Sequence, residues 1–291
     1  MSIICIDLHT HSTASDGSDR PAEVIRKAAA ASLAAVALTD HDTLDGLEEA
    51  EEAARLHNVL FVRGCEISAS TAWGEAHLLG LFIPHDRSRT ATLEQVLDEM
   101  RIKRMERNER MAEKLRTLGL DVSYEAAAEL AGGKVVGRPH FAELLCRKGV
   151  VKDRKEAFRR YLGEGAMAYE PRELMPAQEV VPLLKEAGAV VSIAHPRLLR
   201  ASVRELDILL GELKPLGLDA LEAYHSEHDA SDVRECVELA AKHGLLLTGG
   251  SDYHGLSKPK IALGHGKGGL RVSLHLYERL QEYRCSQGLE G

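Results

Sequence analysis

The stretch Asp7-Leu8-His9-Thr10-His11-Ser12 decides the reading of this chain. An apolar run, residues 3–6, leads into it and has the character of a buried strand. Strand alternation puts His9 and His11 on one side, about 7 Å apart at Cα. Two imidazoles at that spacing can clasp one cation. Asp16 follows in a polar loop. A solvated loop that happened to hold two histidines would look the same. The stretch gains weight because its pattern recurs: an apolar run, then His, Asp or Glu.

Strand 35–39 delivers Asp40-His41-Asp42, and strand 59–63 delivers Gly64-Cys65-Glu66. Strand 76–83 carries His77 at its head. Later, 189–194 delivers His195-Pro196, 219–223 delivers Tyr224-His225, and 245–248 leads into Asp252-Tyr253-His254. Helices at 21–31 and 46–57 separate the early strands, and a closing helix is expected at 273–285. Such alternation predicts a parallel α/β sheet, open or closed. Between 86 and 176 helices replace the strand signals, at 92–118, 124–131, 138–148 and 153–162. Gly132-Gly133 breaks that run. The expected organisation is a discontinuous metal-binding domain, 1–85 with 177–291, and a helical substrate-binding insertion, 86–176.

Composition narrows the function. The formal charge of −8 disfavours a general nucleic-acid surface, so DNA is not an expected partner. The charge is uneven: 86–176 holds 19 Lys and Arg against 16 Asp and Glu, a net +3, within an otherwise acidic chain. A basic middle suits an anionic ligand, although charge on helical surfaces also varies by chance. No apolar run reaches membrane-spanning length, and the N-terminus lacks the pattern of a secretory signal. Five scattered cysteines without a Cys-x-x-Cys pair read as reduced thiols, and a cytoplasmic location is expected.

Nearly all the candidate ligands follow strand C-termini, the end of an α/β barrel or open sheet where loops converge on a site. They are His9, His11, Asp16, Asp40, His41, Glu66, His77, His195, His225, Asp252 and His254. His77, at the head of its strand, is the exception. The set is too large for one four-coordinate zinc. It suits two or three divalent ions sharing carboxylates, with nitrogen and oxygen donors that fit Mn, Zn or Fe. No P-loop, nucleophile elbow or dinucleotide fingerprint competes with that reading. Within the insertion, Arg104 falls on a stripe through Leu97, Met111 and Leu118. It is either paired with an anion or snorkels to water. Arg138 and His140 open a helix, where an N-terminus beside an arginine is an anion site. Lys134 and Arg172 are further substrate candidates.

The segments DLHTHSTASDGS (7–18), TDHD (39–42), GCEIS (64–68), AHP (194–196) and GGSDYHG (249–255) resemble, in order, the motifs of the PHP (polymerase and histidinol phosphatase) family. That resemblance implies a distorted (β/α)7 barrel, similar to the amidohydrolases. The insertion with VGRPHF (136–141) resembles a subgroup containing 3′,5′-nucleoside bisphosphate phosphatases and a 5′→3′ exoribonuclease.

Carried over by position, the resemblance implies three cation sites. The first uses His9, His11, Glu66 and Asp252, and the second uses Glu66 again with His77 and His195. The third uses Asp16, His41 and His254. A carboxylate at position 16 tilts the expectation to three Mn²⁺, with Zn²⁺ or Fe²⁺ as alternatives. Asp7 and Asp40 are expected to orient imidazoles. The expected reaction removes the 3′-phosphate of a nucleoside 3′,5′-bisphosphate by attack of a hydroxide bridging two metals. His195, Asp252 and His225 are the candidates for moving protons. The insertion is expected to grip the 5′-phosphate. Two alternatives stand beside this: exonuclease action on short 5′-phosphorylated RNA, and a non-catalytic metal-binding module.

Overall fold

The computed structural model describes residues 4–131 and 135–289. The first strand, β1 (Cys5–Asp7), pairs in parallel with β2 (Ala35–Leu38), matching Ile6 to Ala35 and Asp7 to Val36. All four residues of β2 are buried, as befits a parallel strand covered on both faces. Helix α1 (Pro21–Ala30) connects them, with Pro21 at its first turn and Val24, Ile25 and Ala28 turned inward. Helix α2 (Leu47–His57) leads back to β3 (Leu60–Thr71), which pairs in parallel with β2.

The next step departs from the expected parallel alternation. β3 runs to Thr71, turns within two residues and returns as β4 (Gly74–Leu81), antiparallel to β3. So short a connection cannot hold the crossover that a parallel pair needs. Gly74 takes the turn at φ +115°, a conformation open to glycine. β4 is also antiparallel to β5 (Val190–Ile193). The head of β4 therefore lies at the same end of the sheet as the tails of the parallel strands, which brings His77 into line with the other candidates.

Parallel pairing resumes from β5 to β6 (Ala220–His225) and from β6 to β7 (Leu246–Gly250). Helices α7 (Ala177–Glu186), α8 (Val203–Leu213) and α9 (Ala230–His243) precede these three strands in turn. The sheet order is β7-β6-β5-β4-β3-β2-β1-β8, where β8 (Val272–Ser273) adds antiparallel to β1 ahead of α10 (Leu274–Ser286). The ring then nearly closes on itself. The Leu8 N–H donates to the Gly249 carbonyl (3.1 Å), and the Asp252 N–H donates to the His9 carbonyl (2.9 Å). The architecture is the mixed α/β barrel of seven principal strands, with β8 as a short eighth.

The chain divides into two compact units, residues 1–96 with 174–291 and residues 97–173. The division falls inside α3 (Arg87–Thr117), whose early residues Thr90 and Leu93 are buried. The second unit contains the rest of α3, then α4 (Tyr124–Leu130), α5 (Arg138–Arg147) and α6 (Arg154–Ala157), which continues into a wider π-helical turn. Its own core includes Met111, Leu115, Phe141, Leu145, Tyr161 and Leu162.

Barrel closure depends on a missing side chain. A Cβ on Gly250 would stand 2.4 Å from both the Cβ and the backbone N of His9. Backbone cannot yield there as the end of a flexible side chain could. Gly250→Ala is expected to cost about 2 kcal/mol through overpacking, read as a lower urea midpoint at unchanged slope.

Candidate metal centre

One carboxylate collects five imidazoles. Glu66 is fully buried on β3, held in the ladder by its N–H donating to the Asp40 carbonyl and its C=O accepting from the Asp42 N–H. Its Oε1 lies 2.9 Å from His77 Nδ1, 3.0 Å from His195 Nε2 and 3.4 Å from His9 Nε2. Its Oε2 lies 3.0 Å from His41 Nδ1 and 3.3 Å from His11 Nε2. In the β3–β4 register Glu66 faces Leu79 and His77 faces Ser68, so Glu66 and His77 are diagonal neighbours on one face.

Asp252 is the second hub. Its Oδ1 lies 3.4 Å from both His11 Nε2 and His254 Nδ1, and 3.7 Å from His9 Nε2. Asp16 meets His254 Nε2 at 3.2 Å. His195 and Asp252 both adopt positive φ, +29° and +57°. Such conformations cost energy and persist where the surroundings impose them.

These atoms fit divalent cations. His9 Nε2 and His11 Nε2 face each other at 3.1 Å, close enough for one ring to donate to the other or for both to bind one cation. His41 Nδ1, His11 Nδ1 and Glu66 Oε2 are buried and make no hydrogen bond among the described residues. Buried lone pairs are costly unless something satisfies them. Three groups have ligand atoms within 4.8 Å of one another: His11, Asp16, His41 and His254; His9, His11 and Glu66; His41, Glu66 and His77.

Electrostatics agree. Burial pushes the Glu66 carboxyl up, but the charges of His41, His77 and His9 outweigh it and hold it well below the usual range. Burial likewise opposes the lowering of Asp252, which the neighbouring His11, His225, His9 and His254 rings then enforce. His77 and His195 share Glu66 Oε1 yet diverge. Despite burial, Glu66 raises His77 to about 10, whereas burial prevails at His195 and lowers it to about 4.

Asp7 and Asp40 are buried as expected, but they orient backbone rather than imidazoles. Asp7 accepts from the Ser251 hydroxyl (2.5 Å) and from the N–H groups of Ser251 and Gly264. Asp40 accepts from the hydroxyls and N–H groups of Ser12 and Ser15. Both carboxylates pin the loops that carry ligands. Imidazole orientation falls to Glu222, which sequence reading misses. It lies 3.0 Å from His9 Nδ1 and accepts from the His195 N–H at 2.6 Å. A glutamate inside the apolar run Ala220-Leu221-Glu222-Ala223 is the available signal, because charged residues are rarely fully buried without a partner.

His225 ends β6 with its buried Nε2 3.6 Å from Asp252 Oδ2, while its Nδ1 accepts from the Glu227 N–H at 3.1 Å. The barrel unit thus gathers His9, His11, Asp16, His41, Glu66, His77, His195, Asp252 and His254, with His225 alongside. The substrate candidates Arg104, Arg138, His140 and Arg172 belong to the second unit, and Lys134 lies outside the described residues. Arg104 is half-buried, and the arginine turned fully inward is Arg107, 6% exposed. A seven-residue stripe follows one edge of a helix face, whereas Arg107 shares its face with Met111, one turn on. Arg138 lays its guanidinium over the Phe158 ring at 5.9 Å. His140 Nδ1 accepts from the Gly137 N–H (3.0 Å), closing the start of α5.

A barrel whose strand ends converge imidazoles and carboxylates on shared oxygens defines a metal-dependent hydrolase. The PHP domain profile matches residues 7–162. The chain belongs to the PHP family. It is 33% identical over 262 residues to a 3′,5′-nucleoside bisphosphate phosphatase of Chromobacterium violaceum, covering 89% of this chain and 90% of that one. It is 32% identical over 248 residues to a 5′-3′ exoribonuclease of Haemophilus influenzae, covering 85% and 89%. Among solved structures, a candidate metal-dependent phosphoesterase from Bifidobacterium adolescentis superposes with a TM-score of 0.81 at 30% identity, over 96% of this chain and 95% of that one.

Glu222→Gln keeps the shape of the site but removes the charge behind His9. It is expected to weaken metal affinity about ten- to a hundredfold, measured by titration against a competing chelator, with the circular dichroism spectrum unchanged.

Proposed function

We propose that this chain is a phosphoric ester hydrolase that removes the 3′-phosphate from nucleoside 3′,5′-bisphosphates such as pAp, giving AMP and phosphate. The observation that carries the reading is the convergence of five imidazoles on Glu66. His9, His11, Glu66 and Asp252 would hold one ion, Glu66, His77 and His195 a second, and Asp16, His41 and His254 a third. Mn²⁺ is the ion we favour for this nitrogen and oxygen donor set. Bound there, divalent ions acidify water and neutralise phosphoryl oxygens.

The side chains supply the rest. Glu222 fixes the His9 ring through Nδ1, which leaves Nε2 turned toward Glu66 and His11. His225 uses Nδ1 as an acceptor, so its neutral ring carries the proton on Nε2, the atom nearest Asp252 Oδ2. In this reading His225 would give that proton to the leaving alkoxide. His195 and Asp252 also touch reacting groups in this scheme, as ligands before proton carriers. Arg104, Arg138 and Arg172 of the basic insertion are the residues we favour for binding an anionic group of the substrate. The Chromobacterium relative supports this substrate class.

A second reading is 5′→3′ exonuclease action on short 5′-phosphorylated RNA, favoured by the Haemophilus relative. No disulfide joins the five cysteines among the described residues, which suits reducing cytoplasm. No helix among the described residues is long and apolar enough to cross a membrane.

The deciding experiment is a screen of Mn²⁺-reconstituted protein against nucleoside mono-, bis- and cyclic phosphates and 5′-phosphorylated oligoribonucleotides. Release of phosphate from pAp, abolished by chelator, supports the first reading. Nucleotide release from RNA without turnover of pAp supports the second, and turnover of no phosphoester sinks both. His225→Ala is expected to lower kcat about a hundredfold at unchanged metal content. Arg138→Ala is expected to raise KM for pAp about tenfold while leaving bound metal and kcat nearly unchanged. Equal KM values would remove Arg138 from the substrate site.

A further inference from the structure

Asp252 divides its two oxygens between two environments. Oδ1 faces the inner imidazoles of His9, His11 and His254. Oδ2 faces His225 Nε2 and, at 2.5 Å, the ammonium of Lys258. Lys258 stands six residues beyond Asp252 and matches none of the metal-ligand positions. Its side chain is 43% exposed, against 10% for the Asp252 side chain. It therefore reaches the ligand cluster from the solvent side, where a substrate must enter.

The placement is built into the turn. Gly255 takes φ +61°, and a Cβ there would lie 2.2 Å from Ser18 Oγ. The Leu256 N–H donates to Ser18 Oγ (2.7 Å), and the Ser18 N–H donates to the His254 carbonyl (3.1 Å). A short 3₁₀ turn, Gly255–Ser257, follows, and the Lys258 N–H closes it onto the Gly255 carbonyl. The turn holding Lys258 is thus locked to the loop that carries Asp16.

Lysine has three donors. Asp252 Oδ2 is the one hydrogen-bond acceptor of Lys258 Nζ among the described residues, which leaves donors for a ligand. A compact ammonium beside a cationic centre recognises a phosphoryl oxygen as a point charge, without the planar fork of arginine. We propose that Lys258 is a substrate-contacting residue, binding a non-bridging oxygen of the scissile phosphoryl group on the Oδ2 side of Asp252, opposite the inner imidazoles. The proposal rests on the phosphoesterase reading and adds a residue to the same site.

The test uses full-length wild type, Lys258→Met and Lys258→Arg, each reconstituted with Mn²⁺. Bound metal is measured by atomic emission, and orthophosphate binding by isothermal titration calorimetry. Lys258→Met is expected to raise the orthophosphate Kd about tenfold or more, and Lys258→Arg to stay within about threefold of wild type because the charge survives. All three should carry the same metal. An orthophosphate Kd for Lys258→Met equal to wild type would overturn the proposal, as would loss of metal in that variant. Wild type that binds orthophosphate but hydrolyses no phosphoester would strike the phosphoesterase reading alone. Wild type that binds no orthophosphate would overturn both.

Discussion

A carboxylate buried without water must be surrounded by charge or protons, and Glu66 meets that condition with five histidine nitrogens. An unpaired charge there would be prohibitive. The requirement reaches into the fold, because the five imidazoles come from four separate segments: the end of β1, the loop after β2, the head of β4 and the end of β5. Each must arrive at the same depth. The antiparallel β3–β4 pair is how one of them does so, since reversing a strand brings its start to the end where its neighbours finish.

The parts of this arrangement legible in the sequence are those with local signals. Apolar runs ending in His or Asp mark β1, β2, β5 and β7, and the buried ligands sit where those runs stop. The direction of β4 is hidden, because a strand's own residues do not say which way its neighbour runs; only the short Thr71–Gly74 turn does. β8, two residues long, carries no periodic signal. Glu222 lies inside a run that reads as a plain strand, and its role depends on His9, 213 residues away. Lys258 resembles any loop lysine until the fold sets Asp252 beside it. Arg104 draws attention ahead of Arg107 because a seven-residue stripe approximates a helix face but is not its true period.

The two units divide the chemistry by composition. The barrel unit holds the carboxylates and imidazoles of the candidate centre, where Glu66 and Asp252 are surrounded by histidines and Lys258. The second unit has its own apolar core of α3, α4 and α5 residues and supplies most of the chain's clustered arginines.

The hydrogen bond from the Asp252 N–H to the His9 carbonyl joins the first strand to the last ligand segment, and Asp7 meets Ser251 across 244 residues. During synthesis on the ribosome, Asp7 emerges 244 residues before its closing partner Ser251. Until then neither the barrel nor the complete ligand set can form. Any product truncated before Asp252 keeps His9 and His11 but lacks the segment that fixes them. Only a polypeptide that extends past His254 can present all of these ligands together.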